Sequence, residues 1–200
     1  MPNANIEPWE VVVKEEILPD LERGRPNWDK PHTLAVVKKL KSILEHTPNL
    51  DIDRIVLIIA AYAHDWGYVG RFGSGIAQIE DIQKVKAVHM EIGAQRLEEL
   101  LKEPEFDFLS KGQKARAVHL VRVHDKLEEL RDVDELVLME ADTLGAADSM
   151  LVKPSFDAKS NKKWVAKVRQ ERASRFITDY SKSELPGLLA KREIYYQSLG

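Results

Sequence analysis

A nine-residue apolar run, Ile55 to Ala63, ends on His64-Asp65. Such a run is what a helix buried on all sides looks like. A histidine and an aspartate at its end are expensive to bury, and buried charges are normally paired or bound to a metal. Imidazole nitrogen plus carboxylate oxygen suits divalent cations such as Zn, Mn, Fe or Co. His32 lies upstream and Asp142 far downstream, each inside its own helical pattern. His32, His64, Asp65 and Asp142 therefore form a candidate metal site, with neutral imidazoles as directional donors and carboxylates offsetting the cation's charge. A hydrolytic metal also needs an open position for water, whose pKa it lowers towards about 7. The same cation can stabilise charge developing on a phosphoryl oxygen.

These side chains must be positioned by helices, because nearly every long segment has helical periodicity and no run alternates like a strand. The pattern predicts helices over about 8–23, 29 or 32 to 45, 51 or 53 to 66, 79–101, 113–130, 132–148, 162–180 and 184–198. His32 stands one turn before the stripe Val36, Leu40, Ile43 and Leu44, so it points to the core. Asp142 shares a face with Leu138, Ala141 and Gly145. His89 shares a stripe with Val85, Val88 and Ile92, and His124 with Ala117, Leu120 and Val121. His119 lies on the other side of its helix, so His124 is the inward candidate of the two. Residues 67–78 hold Gly67, Gly70, Gly73 and Gly75 and read as a flexible loop. Arg71 in that loop is the first candidate for binding phosphate, since a mobile loop can close on substrate. Residues 1–28 read as an N-terminal helix and loop, 29–150 as a metal-binding core, and 151–200 as C-terminal helices packing on it, a single domain overall. The fold class expected is all-α, a helical bundle with a metal site between helices.

The ordered set His32, His64-Asp65, Asp142, each on a separate helical segment, resembles the HD superfamily of metal-dependent phosphohydrolases, named for its central His-Asp pair. The resemblance spans about residues 29–150. It implies that these four residues hold the metal, that His64 and Asp65 are central to catalysis, and that Asp65 bridges when two ions are present. Val88-His89-Met90-Glu91-Ile92-Gly93-Ala94 and Val121-Arg122-Val123-His124-Asp125 resemble the segments that carry two further metal histidines in dinuclear members, which makes His89 and His124 second-ion ligands. Tyr68 stands where the cyclic-dinucleotide class has a lysine, and no Gly-Tyr-Pro follows His124-Asp125. These departures argue against cyclic di-GMP as substrate.

Composition narrows the field. The chain has 44% hydrophobic and 32% charged residues, as soluble globular proteins do. A net charge of −3 gives no basic character that would favour a nucleic-acid partner. No cysteine is present, so disulfides and thiolate-zinc sites are excluded. The N-terminal stretch has no signal-peptide pattern and no apolar run is long enough to cross a bilayer, which makes cytoplasmic the expected location. The reading that follows is a phosphohydrolase acting on a phosphomonoester or phosphodiester of a small molecule, a nucleotide first, with one or two divalent ions among Mn, Fe, Co, Ni, Zn and Mg. A di-iron HD-type oxygenase and a non-catalytic nucleotide- or metal-binding module are the competing readings. Oligomeric state is not readable; the apolar C-terminal residues are expected to cover the core.

Overall fold

The computed structural model describes residues 7–72, 79–155 and 157–198. Its helices are α1 (Pro8–Leu21), α2 (Asp29–His46), α3 (Arg54–Ala63), α4 (Ile79–Leu100), α5 (Lys111–Val123), α6 (Val133–Ala147), α7 (Ala158–Lys167) and α8 (Asp179–Gln197), and the described residues include no strand. The all-α expectation therefore holds. None of the helices is long and apolar enough to cross a membrane.

The hydrophobic run forms α3, the central helix, and Asp53 starts it by accepting from the backbone N–H groups of Ile55 and Val56. Val56, Leu57, Ile59, Ala60, Ala61, Tyr62 and Ala63 are all buried. Helices α1, α2, α4, α5 and α6 pack around it. The most extensive pairing is α2 on α6. Gly145 explains its closeness: a Cβ there would lie 2.9 Å from the Val36 backbone nitrogen. Only a residue without a side chain lets these two helices approach so far.

Three boundaries differ from the periodicity. The helix expected over 113–130 ends at Val123, because His124 caps it with its own ring. The segment expected to be one helix over 162–180 is α7, then a widened π-type turn at Val168–Arg172 and a 3-10 turn at Ala173–Arg175. Gly67, expected in a flexible loop, is buried in a 3-10 turn, Trp66–Tyr68. Gly73 and Gly75 lie outside the described residues. Phe176, Leu188 and Leu189 join the main core, while Ile194 is exposed. Val88, expected on the inward stripe of α4, is likewise exposed.

A buried acid ties α1 to α2 and α3. Glu10 accepts from Tyr62 Oη at 2.7 Å and from Lys41 Nζ at 2.8 Å, with Lys14 Nζ at 3.1 Å. Burial alone would raise its pKa, but these donors outweigh burial and lower it to about 2. Glu10→Gln is expected to destabilise the fold by about 1.5–3 kcal/mol at pH 7. A depressed carboxylate stabilises above its unfolded value and loses that contribution as pH falls, here between 4.5 and about 2. Urea unfolding at pH 7 and pH 3 checks this: the gap between wild type and variant should narrow markedly at the lower pH.

Candidate metal centre

Two helix ends deliver histidines by the same device. His64 is the residue after α3, and its Nδ1–H donates to the Ala61 carbonyl at 2.8 Å. His124 follows α5, and its Nδ1–H donates to the Val121 carbonyl at 2.8 Å. A carbonyl can only accept, so Nδ1 carries the proton and the neutral ring keeps its lone pair on Nε2, the nitrogen that points inward. Each histidine also caps an otherwise orphaned helix carbonyl. Each is followed by an aspartate, Asp65 and Asp125.

The other donors come from helix faces. His32 sits in the first turn of α2, stacked on Trp28 with ring centres 5.2 Å apart. The tight α2–α6 contact brings its Nε2 to 3.1 Å from Asp142 Oδ1. His89 on α4 is fully buried and lies flat on Tyr68, 3.9 Å between ring centres. The Nδ1 atoms of His32 and His89 are buried without a hydrogen-bond partner.

Six side chains thus converge in two trios. Donor atoms of His32, His64 and Asp142 lie within 4.8 Å of one another, as do those of Asp65, His89 and His124. Asp65 joins the trios through its two oxygens. Oδ2 lies 3.6 Å from His32 Nε2 and 3.4 Å from His64 Nε2, whereas Oδ1 lies 3.6 Å from His89 Nε2 and 3.7 Å from His124 Nε2. Within each trio the paired Nε2 atoms are 3.3 Å apart. Adjacent donors bonded to one ion at about 2.0–2.1 Å stand roughly 3 Å apart, so this set fits divalent cations with little rearrangement. His32, His64, Asp65, Asp142, His89 and His124 were all sequence candidates, and the fold brings all six together.

The electrostatics suit the same purpose. Burial would raise the pKa of Asp65, but His64 and Arg25 outweigh it and hold the carboxyl well below the usual range. Burial acts likewise on Asp142, where Arg172 and His32 prevail and keep it ionised. His64 is opposed by burial yet raised to about 9 by Asp65 and Asp142, so an ion binding there displaces a proton. Burial and the neighbouring His124 lower His89 to about 3, which keeps its ring neutral.

The sequence model of the HD domain matches residues 31–147, more than half of the chain. The chain belongs to the HD domain family. No curated protein and no solved structure matches it. The HD family is one of metal-dependent phosphohydrolases, and the two trios here are groups that could hold metal.

Two guanidiniums beside the HD site come from outside the matched segment. Arg25, in the break before α2, contacts Asp65 Oδ2 through Nη2 and Asp29 Oδ1 through Nε, each at 2.5 Å, and lies over the Tyr68 ring. Arg172, at the end of the π-type turn, donates to Asp142 Oδ2 at 2.6 Å, Thr143 Oγ1 at 2.9 Å and Asp125 Oδ1 at 2.7 Å. Lys86 adds a second cation to Asp125 at 3.4 Å. A cavity of about 130 Å³ opens over the site, with Arg25, Lys86 and Arg172 in its wall. Arg71 is exposed and is not part of that wall, so the fold does not place the expected phosphate candidate at the site. His119 pairs with Glu135 at 2.9 Å instead of joining the histidines, as its helix face predicts.

Reasoning from sequence passed over Arg25, Asp125 and Arg172. Asp125 had a readable signal, since His124-Asp125 repeats the His64-Asp65 dipeptide at a second helix end. Arg172 grips the Asp142 oxygen that faces away from His32, so it fixes which oxygen the trio receives. Loss of such an orienting partner weakens metal affinity by about 10–100-fold. Arg172→Met is expected to lie in that range when manganese is titrated into chelator-stripped protein by calorimetry. Unchanged affinity in a folded variant would remove the orienting role.

Proposed function

We propose that this protein is a metal-dependent phosphohydrolase that cleaves a phosphomonoester or phosphodiester of a small molecule, with nucleotides the first class to test. The observation that carries the reading is Asp65, whose two oxygens are divided between two histidine pairs. His32, His64, Asp142 and Asp65 would hold one divalent ion, and His89, His124 and Asp65 a second. When bound, such ions supply Lewis-acid stabilisation of phosphoryl oxygens and an acidified water. The protein's own groups bind and orient. Lys86 and Arg172 stand in the cavity wall where non-bridging phosphoryl oxygens would lie, and cations there match the charge that phosphate brings. Trp28 and Tyr68, each against a ligand imidazole, fix ring orientation and restrict water.

The same nitrogen and oxygen donors, without cysteine, also suit a pair of irons, which keeps the oxygenase reading in play. One experiment separates the readings. Metal content is measured on protein purified without added metal. Stripped protein is then reloaded with Mn, Co, Ni or Mg and assayed with p-nitrophenyl phosphate, bis-p-nitrophenyl phosphate and a nucleotide panel. Metal-stimulated release of phosphate or nitrophenol is expected. Stoichiometric redox-active iron with no hydrolysis would favour the oxygenase, and ligand-induced stabilisation with no turnover would favour a binding module.

A further inference from the structure

Arg192 is the largest fully buried side chain among the described residues. Its Nε donates to Asn161 Oδ1 and its Nη1 to the Ala146 carbonyl, both at 2.6 Å. Its guanidinium lies 4.5 Å from the centre of the Trp164 ring. Those contacts dock α8 onto α6 and α7, but they do not neutralise the charge. Among the described residues no carboxylate forms an ion pair with Arg192, and Nη2 is buried without a hydrogen-bond partner. Burial pulls its pKa down to about 10. Arg25 and Arg172, by contrast, each hold two carboxylates.

A buried cation without an anion is unfavourable unless something completes it. Arg192 forms part of the wall of the cavity that opens over the metal centre, together with Trp28, Trp164 and Lys167. Its place relative to the metal centre follows from α6. Ala146, which Arg192 caps, is four residues beyond Asp142, or about 6 Å along the helix at 1.5 Å per residue. The cavity, about 130 Å³, is close to the roughly 150 Å³ that holds a benzene-sized group, so what it encloses is compact.

We infer that the far end of this cavity, built by Arg192 with Trp28, Trp164 and Lys167, binds a second oxyanion of the substrate, a carboxylate or a second phosphate. The substrate class is then a compact bis-anion whose charged ends are separated by about one helical turn. The inference rests on the phosphohydrolase reading for the group at the metal end. A purely structural Arg192 would explain the bonds to Asn161 and Ala146 but not a buried Nη2 left without a hydrogen-bond partner on a side chain that lines this cavity.

Three non-hydrolysable probes test it: butylphosphonate, 4-phosphonobutanoate and butane-1,4-diylbisphosphonate. Each is titrated calorimetrically into the full chain, loaded with manganese and again after chelation. At least one bis-anion is expected to bind about tenfold more tightly than butylphosphonate, the carboxylate or the phosphonate arm identifying the source. In Arg192→Gln that ratio should fall to within about twofold. Equal affinity for all three probes in the wild type overturns the inference, and this comparison stands even if the variant does not fold. A preference that survives intact in a folded Arg192→Gln also overturns it. If manganese fails to strengthen even butylphosphonate, the phosphohydrolase reading fails instead; if it strengthens butylphosphonate and the three loaded affinities are then equal, only the second oxyanion does.

Discussion

Asp65→Ala is expected to lower metal-stimulated hydrolysis on the order of 10³-fold or more, the largest effect of any single substitution in this protein. Removing one preorganised electrostatic contact in an active site typically loses 10²–10³ in rate. Asp65 is worth more because one side chain serves both trios, through Oδ2 to His32 and His64 and through Oδ1 to His89 and His124. Ion content should fall with activity. His89→Ala provides the contrast: it removes a donor from one trio only and should leave one ion bound. Elemental analysis and phosphate release on the same samples check both. Turnover within tenfold of wild type in folded Asp65→Ala would end the bridging role.

Gly67→Ala is expected to destabilise the fold by on the order of 3 kcal/mol or more, at the severe end of overpacking effects. A Cβ there would fall inside van der Waals contact with the His89 carbonyl oxygen, 2.7 Å from the His89 carbonyl carbon and 2.8 Å from the Gly93 nitrogen. All three are backbone atoms of α4, which cannot rotate aside as a flexible side chain would. Relief requires α4 to move away from the turn that follows Asp65, and His89 moves with it. For a chain of this size the loss corresponds to a fall of roughly 6–12 °C in Tm. Gly187→Ala on α8, with nothing within 4 Å of its Cβ, should hold or raise Tm. Calorimetric melting of the two variants beside wild type decides the matter, and a Gly67→Ala protein that melts with wild type would show that the contact yields without penalty.

Much of the candidate metal centre was legible because its residues sit at positions that periodicity can read. His32 and Asp142 lie on apolar stripes, and His64-Asp65 ends a run that has no other reason to carry charge. His89 and His124 were placed by the same logic, and resemblance to dinuclear HD proteins made the pair specific. The two arginines were not legible. With 30 lysines and arginines in the chain, an arginine drawn inward by a distant carboxylate has the same local sequence as one in solvent. Arg25 sits in an irregular break, and its partner Asp65 is 40 residues away. Arg172 depends on a π-type turn that periodicity reads as plain helix. Glycines misled for a related reason. Four glycines in twelve residues suggest mobility, yet Gly67 is required by the closeness of another backbone, which composition does not record.

The positions of Arg25 and Arg172 on either side of residues 31–147 bear on how far this module can be transplanted. A fragment trimmed to the matched segment would keep every donor atom and lose both guanidiniums. Asp65, Asp125 and Asp142 would then crowd one site with three like charges, left to Lys86 and a protonated His64 among the contacts described. Such a graft would take up protons or stray cations where the intact chain is internally neutralised. The segments flanking residues 31–147 therefore act as the insulation of the centre, and a chimera built from this scaffold has to carry them along.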